Sequence, residues 1–580
     1  MSAGYTDNCL VTMNPFEYDA ATSLNEQEIL DYYIEDFNYS RFIQSTRNIF
    51  LIGERGSGKT MTLLFNAYKL ARAYSKANVS ERQMIGVYVP CKTPLFDKKE
   101  YELVEDEPYR SAILSEHLLA LTVAYHIVTA LSAFEPELTD ELNSALLSDM
   151  GYSIGAELRT DKPFLESIEL FINRSVAETQ KSINAPDETA TFRNALSFFS
   201  FVMPLINFVK RIPCFKNIHL LLLIDDAHDL NKYQIRALNS WIAYRDHSDF
   251  SFKVATAKIR RPEYVTATGG SIIEAHDFLS IDMEQPFQSK FSDFGKLARD
   301  IVRKRLDKIG LNVPADEYFP EHPAMARDME QSRTAVRVEA EKKYPGGSEK
   351  QIRDYVYKYG RAHYFRNRAS QANLPPYSGF ETIVHLSTGV VRNLLYPCYW
   401  MYDKALSEVK GTTVNQIEPK IQTEVIKEKS AELWKRVNDQ LYNLVDGCST
   451  AQAKQIASLF EKLASLYKRR LSSDISEPRA IAFSISMWTE ELRAQIMPLL
   501  RIAQEAQILY VREGAAKDDG KREPYYVPNR LLWPNYGLDP VGQHARVSLK
   551  AAEIWAAANG REFVFEETRD EAQGHLFPSA

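Results

Sequence analysis

The chain has 580 residues, of which 45% are hydrophobic and 25% charged, and a net charge of −7 with an isoelectric point near 6.0. This is the mixture of a globular protein of roughly 150 residues per domain. It excludes a collagen-like, low-complexity or wholly disordered chain. It also disfavours a surface that binds polyanions everywhere, while leaving room for a local basic patch. Five scattered cysteines (Cys9, Cys91, Cys214, Cys398, Cys448) show no C-x-x-C spacing. They argue against a disulfide framework or a zinc ribbon, and for a reducing, cytoplasmic compartment. The opening MSAGYTDNCLVTMNPFEYD has neither a basic start nor an apolar core, so no signal peptide is expected. The purely apolar run Leu220–Ile224 is far short of the roughly 20 residues a membrane helix needs, so no membrane is expected as a partner.

The first periodic segment, NEQEILDYYIEDF, sets Ile29, Tyr32, Tyr33 and Phe37 at helical spacing. A strand over 48–52, a glycine-rich turn and a helix over 61–73 follow, then a strand over 85–90. Residues 110–210 read as mostly helical, with turns at LRTDKP and NAPDE. The apolar run over 218–224, with charges at its end, predicts a buried parallel strand. Further strands are expected over 252–257 and 278–283, then a helix over 291–309. Strands alternating with helices predict an α/β fold with a parallel sheet. The alternation stops near residue 310. Residues 310–378 are polar, with two helical pieces flanking Pro345, Gly346 and Gly347. From 380 to 435 the pattern is helical. A helix over 452–472, a helix over 489–507 and strands over 509–512 and 525–527, joined by AAKDDG, complete the order. Three domains are expected: 1–309 with a helical insertion at about 105–210, 310–435 with an insertion at about 310–378, and 436–580.

Chemistry concentrates at Gly53-Glu54-Arg55-Gly56-Ser57-Gly58-Lys59-Thr60, a GxxxxGK[ST] sequence between an expected strand and an expected helix. The glycines let backbone N–H groups turn inward around phosphate oxygens, and the helix N-terminus favours the same anion. Lys59 is expected to neutralise the β- and γ-phosphates of ATP, and the Thr60 hydroxyl to ligate Mg²⁺. The bland alternative, a chance glycine-rich turn, does not account for both flanks. Such a site also needs a carboxylate at a neighbouring strand end. HLLLLIDD supplies Asp225, to hold Mg²⁺ through water, and Asp226, to polarise the attacking water. His228, two residues on, reads as a loop histidine.

At these residues the chain resembles the AAA+ ATPases, specifically the clade of origin-recognition and initiator proteins. SFKVATAK corresponds to the strand whose polar end senses the γ-phosphate, which points to Thr256, with Lys258 second. LSIDMEQPFQSKFSDFGKLARDIVRKRL resembles the last core strand leading into the lid helices. Ser387-Thr388-Gly389-Val390-Val391-Arg392 resembles the lid turn that opens a helix bearing a phosphate-sensing arginine, Arg392. The resemblance implies a P-loop core, a helical lid and a C-terminal winged-helix domain. It implies ATP hydrolysis with ATP and Mg²⁺, and a homo-oligomer or a partner protein, with Arg260 or Arg261 reaching a neighbour's nucleotide. MNPFEYD would form an adenine-side lead-in. Two departures stand out. Asp225-Asp226 replaces the family's usual Asp-Glu, as it does in the signalling ATPases called STAND. The gap from phosphate loop to acidic strand, about 165 residues, is long.

DNA is left open as a partner. Residues 452–534 hold 13 Lys and Arg against 10 Asp and Glu, a mild excess, whereas phosphate neutralisation supplies most DNA affinity. Lys517, Lys521, Arg522 and Arg530 are the wing-side cations. A second stretch, RDYVYKYGRAHYFRNR, interleaves Arg353, Lys358, Arg361, Arg366 and Arg368 with Tyr355, Tyr357, Tyr359, Tyr364 and Phe365. It reads either as a backbone-gripping, base-stacking platform or as a helix packing its rings on the lid. Three functions compete: an oligomeric ATP-dependent switch that engages DNA or a DNA-bound partner, a STAND-like scaffold ATPase of the kind used in anti-phage defence whose winged helix docks protein, and a stand-alone P-loop kinase. The kinase leaves the lid arginine and the winged helix without a purpose.

Overall fold

Extended apolar segments need neighbours for their backbone polar groups, and five of them pair here as one parallel sheet. The structure, a computed structural model, describes residues 14–564 apart from 18–19, 36–38, 75–82, 92–107, 185–193, 245–248, 259–262, 285–290, 371–376, 409–413, 474–477, 516–521 and 543–545. The described residues fall into two compact units, one within Asp19–Met283, the other within Glu284–Ala580 together with the N-terminal residues up to Tyr18.

The first unit opens with helix α1 (Glu26–Tyr32), started by an Asn25 capping box. The expected helix therefore stops at Tyr32, and Phe37 lies outside the described residues. Strand β1 (Ile49–Gly53) leads through the glycine loop into α2 (Lys59–Tyr74), and β2 (Gln83–Pro90) follows. Three long helices come next, α3 (Pro108–Ser132), α4 (Asp140–Ile154) and α5 (Phe164–Asn184). Strand β3 (Ile218–Asp225), helix α6 (Lys232–Ala243), β4 (Phe250–Ala257) and β5 (Leu279–Asp282) complete it. The sheet order is β2-β3-β4-β1-β5, and neighbouring strands pair in parallel throughout.

Strand alternation divides the core in two. Leu220, Leu222 and Ile224 pack with Phe50, Val87, Leu119, Val123 and Ile127 on one face, while Leu221 and Leu223 meet Leu63, Ala67 and Ala255 on the other. The helical insertion is therefore a layer of the core, because α3 supplies the first face. By length and composition residues 111–132 would suit a membrane, yet two-thirds of that stretch is buried in the core; among the described residues it is the only such helix. Gly86 allows α2 to approach β2, since a Cβ there would meet the Ala67 backbone at 2.8 Å.

The second unit begins its helices with α7 (Phe291–Lys308). The lead-in residues pack here: Phe16 is fully buried among Tyr318, Phe319 and Tyr402. The buried Arg305 donates to the carbonyls of Pro15 and Glu17, both at 2.8 Å. Helices α8 (Pro323–Lys343) and α9 (Glu349–Ser370) form the expected pair around Pro345–Gly347. The lid continues with α10 (Phe380–Leu386), α11 (Val391–Glu408) and α12 (Pro419–Lys435).

The C-terminal winged-helix domain runs α13 (Thr450–Ser472), β6 (Ala482–Ser486), α14 (Glu490–Glu505), β7 (Leu509–Ala515), β8 (Arg522–Pro528), β9 (Arg546–Lys550) and α15 (Ala551–Ala558). Its sheet order is β7-β8-β6-β9. The hairpin and the β6–β8 pair are antiparallel, and β9 joins β6 in parallel. One helix, α14, stands between β6 and the hairpin, where a helix-turn-helix reader has two.

For the two stretches considered for nucleic-acid contact, the structure decides between the alternatives for one and corrects one residue of the other. Tyr355, Tyr364 and Phe365 on α9 are buried, and Arg361 is held bidentately by Asp539 at 2.7 and 2.8 Å. These rings serve the core, where Tyr364 and Phe365 pack with Ile456, Phe460 and Trp434; the helix braces the C-terminal domain rather than a stacking surface. Arg530 is not a wing-side cation: it is 5% exposed and donates to Pro540 O and His385 Nδ1, both at 3.1 Å. Lys517 and Lys521 lie outside the described residues, as does the Arg522 side chain.

Candidate functional site

Parallel strands present their carboxyl ends on one edge of a sheet, and the order of this sheet decides which ends are neighbours. β4 lies between β1 and β3. Its register pairs Ile52 with Thr256 and Gly53 with Ala257, and β2 pairs Pro90 with Asp225. The phosphate-type loop, Thr256 and the acidic strand end are thereby gathered within the first unit.

The loop is built on its glycines. Gly56 (φ 83°) and Gly58 (φ 100°) adopt the left-handed region that side chains avoid. A Cβ on Gly53 would meet Ser57 Oγ at 2.5 Å. The Ser57 hydroxyl is itself buried without a hydrogen-bond partner. Arg55 is exposed and lies 4.0 Å from Asp229, while Glu54 is buried. The Lys59 ammonium is buried too, donating to the carbonyls of Gly53 and Glu54, both at 2.9 Å. Burial lowers its pKa, and Asp226 and Asp225 act in the opposite sense.

Asp225 is 2% exposed. Burial, reinforced by Asp226, pushes its carboxyl up to about 6, against the Thr60 hydroxyl, Tyr88 and Lys59, which favour the ionised form. Tyr88 Oη donates to Oδ2 at 2.8 Å, and Oδ1 is buried with no hydrogen-bond partner. A buried carboxylate oxygen left over beside a threonine hydroxyl suits a hard divalent cation. Among the described residues no group of three or more His, Cys, Asp or Glu could hold a metal by itself, so a cation here would draw on Thr60 and on ligand oxygens. That is the usual situation of Mg²⁺ at a polyphosphate.

Asp226 adopts φ 51°, a left-handed conformation that aspartate tolerates better than most residues. Its side chain stays one-third exposed, with Oδ1 3.9 Å from His228 Nδ1. His228, expected as a loop histidine, is buried between Asp226 and Asp229. Burial holds it down near 4, so it is neutral at pH 7 despite both carboxylates.

Thr256 is fully buried at its strand end. Lys258, the second sensing choice, is paired with Asp282 at 2.9 Å. Tyr88 was not foreseen, because its contact with Asp225 depends on sheet order. Arg260 and Arg261 lie outside the described residues. Arg392 belongs to the second unit, on the first turn of α11, half-buried and with no side-chain partner among the described residues. The turn before it contains Thr388 at φ 57° and Gly389 at φ 80°.

A family model described as ORC-CDC6-like matches residues 14–346 and 323–549. Similar solved structures include the Aeropyrum pernix ORC2 protein in its ADPNP–ADP complexes, 10% identical over 94% of this chain and 96% of that one, with a TM-score of 0.30. The Aeropyrum pernix ORC1 protein in complex with DNA is 10% identical over 88% and 93%, with a TM-score of 0.29. Drosophila ORC bound to DNA is 11% identical over 90% and 93%, with a TM-score of 0.25. No curated protein matches the chain.

Proposed function

The chain belongs to the ORC-CDC6-like family of AAA+ ATPases, and from that premise we propose that it binds ATP with Mg²⁺, hydrolyses it, and acts as a nucleotide-dependent oligomeric switch that engages DNA or a DNA-bound partner. The observation that carries the nucleotide reading is the unpartnered Asp225 Oδ1 beside Thr60, next to a glycine loop that holds a buried lysine. Backbone N–H groups of Gly53–Gly58 cradle the phosphates. Lys59 exchanges its bonds to loop carbonyls for bonds to phosphate oxygens. Thr60 and Asp225 would hold Mg²⁺, which would supply charge neutralisation at the polyphosphate. Asp226 orients and polarises the attacking water, and Thr256 donates to the γ-phosphate. Arg392, on the lid of 310–435, reports the third phosphate to the winged-helix domain of 436–580.

Isothermal titration of ATP with Mg²⁺ into the wild type and Lys59→Ala tests the nucleotide reading. We expect a loss of at least about 100-fold in the variant, because a buried charge-assisted contact to polyphosphate disappears. Wild-type affinity in Lys59→Ala would sink the assignment.

A second reading, a scaffold ATPase whose winged helix docks protein, is favoured by the burial of Arg530 and by Glu490 and Glu491 opening α14. Salt separates the two. A DNA binder loses affinity steeply as salt rises, through counterion release, whereas a protein-docking domain shows little DNA affinity at any physiological salt.

A further inference from the structure

The lid turn that precedes Arg392 is held by side chains that come from the winged-helix hairpin. Thr388 is β-branched yet sits at φ 57°, a conformation that persists only where surrounding contacts impose it. Its carbonyl accepts from Arg512 Nη2 at 3.1 Å. Its hydroxyl accepts from the Arg530 backbone N–H at 3.0 Å and donates to Leu386 O at 3.3 Å. Asn393, one residue past Arg392, donates to Tyr510 Oη at 2.8 Å and to Ser387 O at 3.2 Å. Val390 is fully buried against Ile481, Ala482, Tyr510 and Val527. Thus the residues on both sides of Arg392 are bound by β7, by β8 and by the residues that follow β8.

Arg512 is the charged member of this set. Its side chain is 8% exposed, and its other terminal nitrogen, Nη1, pairs with Glu284, which is 1% exposed. Glu284 is where the chain enters the second unit. One guanidinium therefore joins three places far apart in sequence: the entry to the second unit, the turn that precedes Arg392, and the hairpin strand. Lysine, with a single nitrogen on a flexible stem, cannot serve two planar contacts in this way. Arg530 lies close enough for the two guanidiniums to repel; Glu284 offsets the charge of Arg512, while Tyr525 and Asp539 favour the charged form of Arg530.

We propose that Arg512 is a positioning residue that couples nucleotide sensing at Arg392 to the β7–β8 hairpin, by locking Thr388 in its left-handed conformation. The proposal rests on the reading of Arg392 given above. A γ-phosphate that draws Arg392 displaces α11, and the displacement reaches the hairpin because the turn cannot move without Arg512, Tyr510 and the residues after β8. Without the lock, Thr388 relaxes to an ordinary conformation and α11 moves independently of the hairpin. A ligand shifts such an equilibrium only by its differential affinity for the two states, so losing the lock lowers the preference for ATP over ADP and leaves ADP binding intact.

The test measures ATP and ADP affinities, and amide hydrogen exchange across 509–515 and 522–528 with a non-hydrolysable ATP analogue, in the full chain. Arg512→Gln is expected to keep ADP affinity within about twofold, to reduce the ATP:ADP preference by about five- to tenfold, and to abolish ATP-dependent protection of the hairpin. Arg512→Lys should recover only part of this. Thr388→Gly suits the left-handed backbone and therefore folds; it keeps the carbonyl to which Arg512 donates and should keep the protection, while Thr388→Gly/Arg512→Gln, free of the backbone strain, should lose it as Arg512→Gln does. Adding Arg392→Ala to Arg512→Gln should cause no further loss. Wild-type preference and protection in Arg512→Gln and in Thr388→Gly/Arg512→Gln, with Arg392→Ala impaired, overturns the coupling alone. Wild-type preference in Arg392→Ala overturns the lid reading itself, and the coupling with it.

Discussion

Asp226 is the residue at which backbone conformation and chemistry meet. Its left-handed φ of 51° suits aspartate or asparagine, whose short polar side chains bond locally, better than a longer side chain. Asp226→Asn therefore removes the charge without disturbing the turn. We expect it to bind ATP normally and to lose phosphate release by at least about 100-fold, as removal of a group that activates water does; a single-turnover assay with labelled ATP checks this. Asp226→Glu restores the residue usual in the family but places a longer side chain at a left-handed position. It should cost about 1 kcal/mol in urea unfolding. Unchanged turnover in Asp226→Asn would move the activating role to another group. The neighbouring site residues were legible in the sequence because a phosphate loop is a local demand on the backbone. Gly56 and Gly58 need left-handed φ, and no distant contact is required to foresee it. Tyr88 on Asp225 was not legible, since 137 residues separate the two.

At the scale of elements, the segments of the helical insertion are tied to one another by a buried histidine. His117 on α3 accepts from Leu196 N–H through Nδ1 at 2.9 Å and lies 3.0 Å from Thr179 Oγ1 through Nε2. Burial holds it near 4, below the ordinary value of 6.5. A depressed histidine contributes stability that is fully present above 6.5 and is lost as pH falls through the folded value near 4. About 2 kcal/mol should be gone by pH 5 from this group alone. Urea unfolding between pH 7 and pH 5 checks it, and His117→Leu should start lower but lose less across that range. In the other unit, α9 is fastened by Arg361 to Asp539, whose side chains are 16% and 4% exposed. Asp539→Ala strands a buried guanidinium and should cost about 3 kcal/mol, more than the double replacement Arg361→Met/Asp539→Leu. An equal loss in both, read from denaturant midpoints, would mean that the pair contributes only packing.

For the whole molecule, the residues proposed to hold nucleotide, in the sheet unit, and the proposed sensing arginine, in the other unit, lie on separately packed bodies. The proposed switch would change its state when nucleotide changes the relation of lid to core, and the resemblance to AAA+ proteins implies a site completed by a neighbouring subunit. We expect mass photometry to show larger assemblies with a non-hydrolysable ATP analogue and Mg²⁺ than with ADP. A single mass in both conditions would favour a self-contained switch. Arg260 and Arg261 remain the arginines to replace in that experiment, and Arg260→Ala/Arg261→Ala should abolish the assembly while keeping ATP affinity.

The sequence by itself determined the parallel α/β core, the glycine loop between β1 and α2, the acidic strand end and the helix pair around Pro345–Gly347. Each of these is written in short-range terms: alternation of apolar residues, glycine at special backbone angles, and charges at a strand end. Tertiary structure alone decided which charged and aromatic side chains are available. Arg361 and Asp539 are 178 residues apart, and Arg512 and Thr388 are 124 apart. A basic residue in a list of surface cations becomes a buried clamp only when its partner arrives. The five-residue strands β6 and β9 escaped notice for the same reason. AFSIS and RVSLK mix polar with apolar residues and form no continuous apolar run, and their stability comes from the neighbour to which they bond.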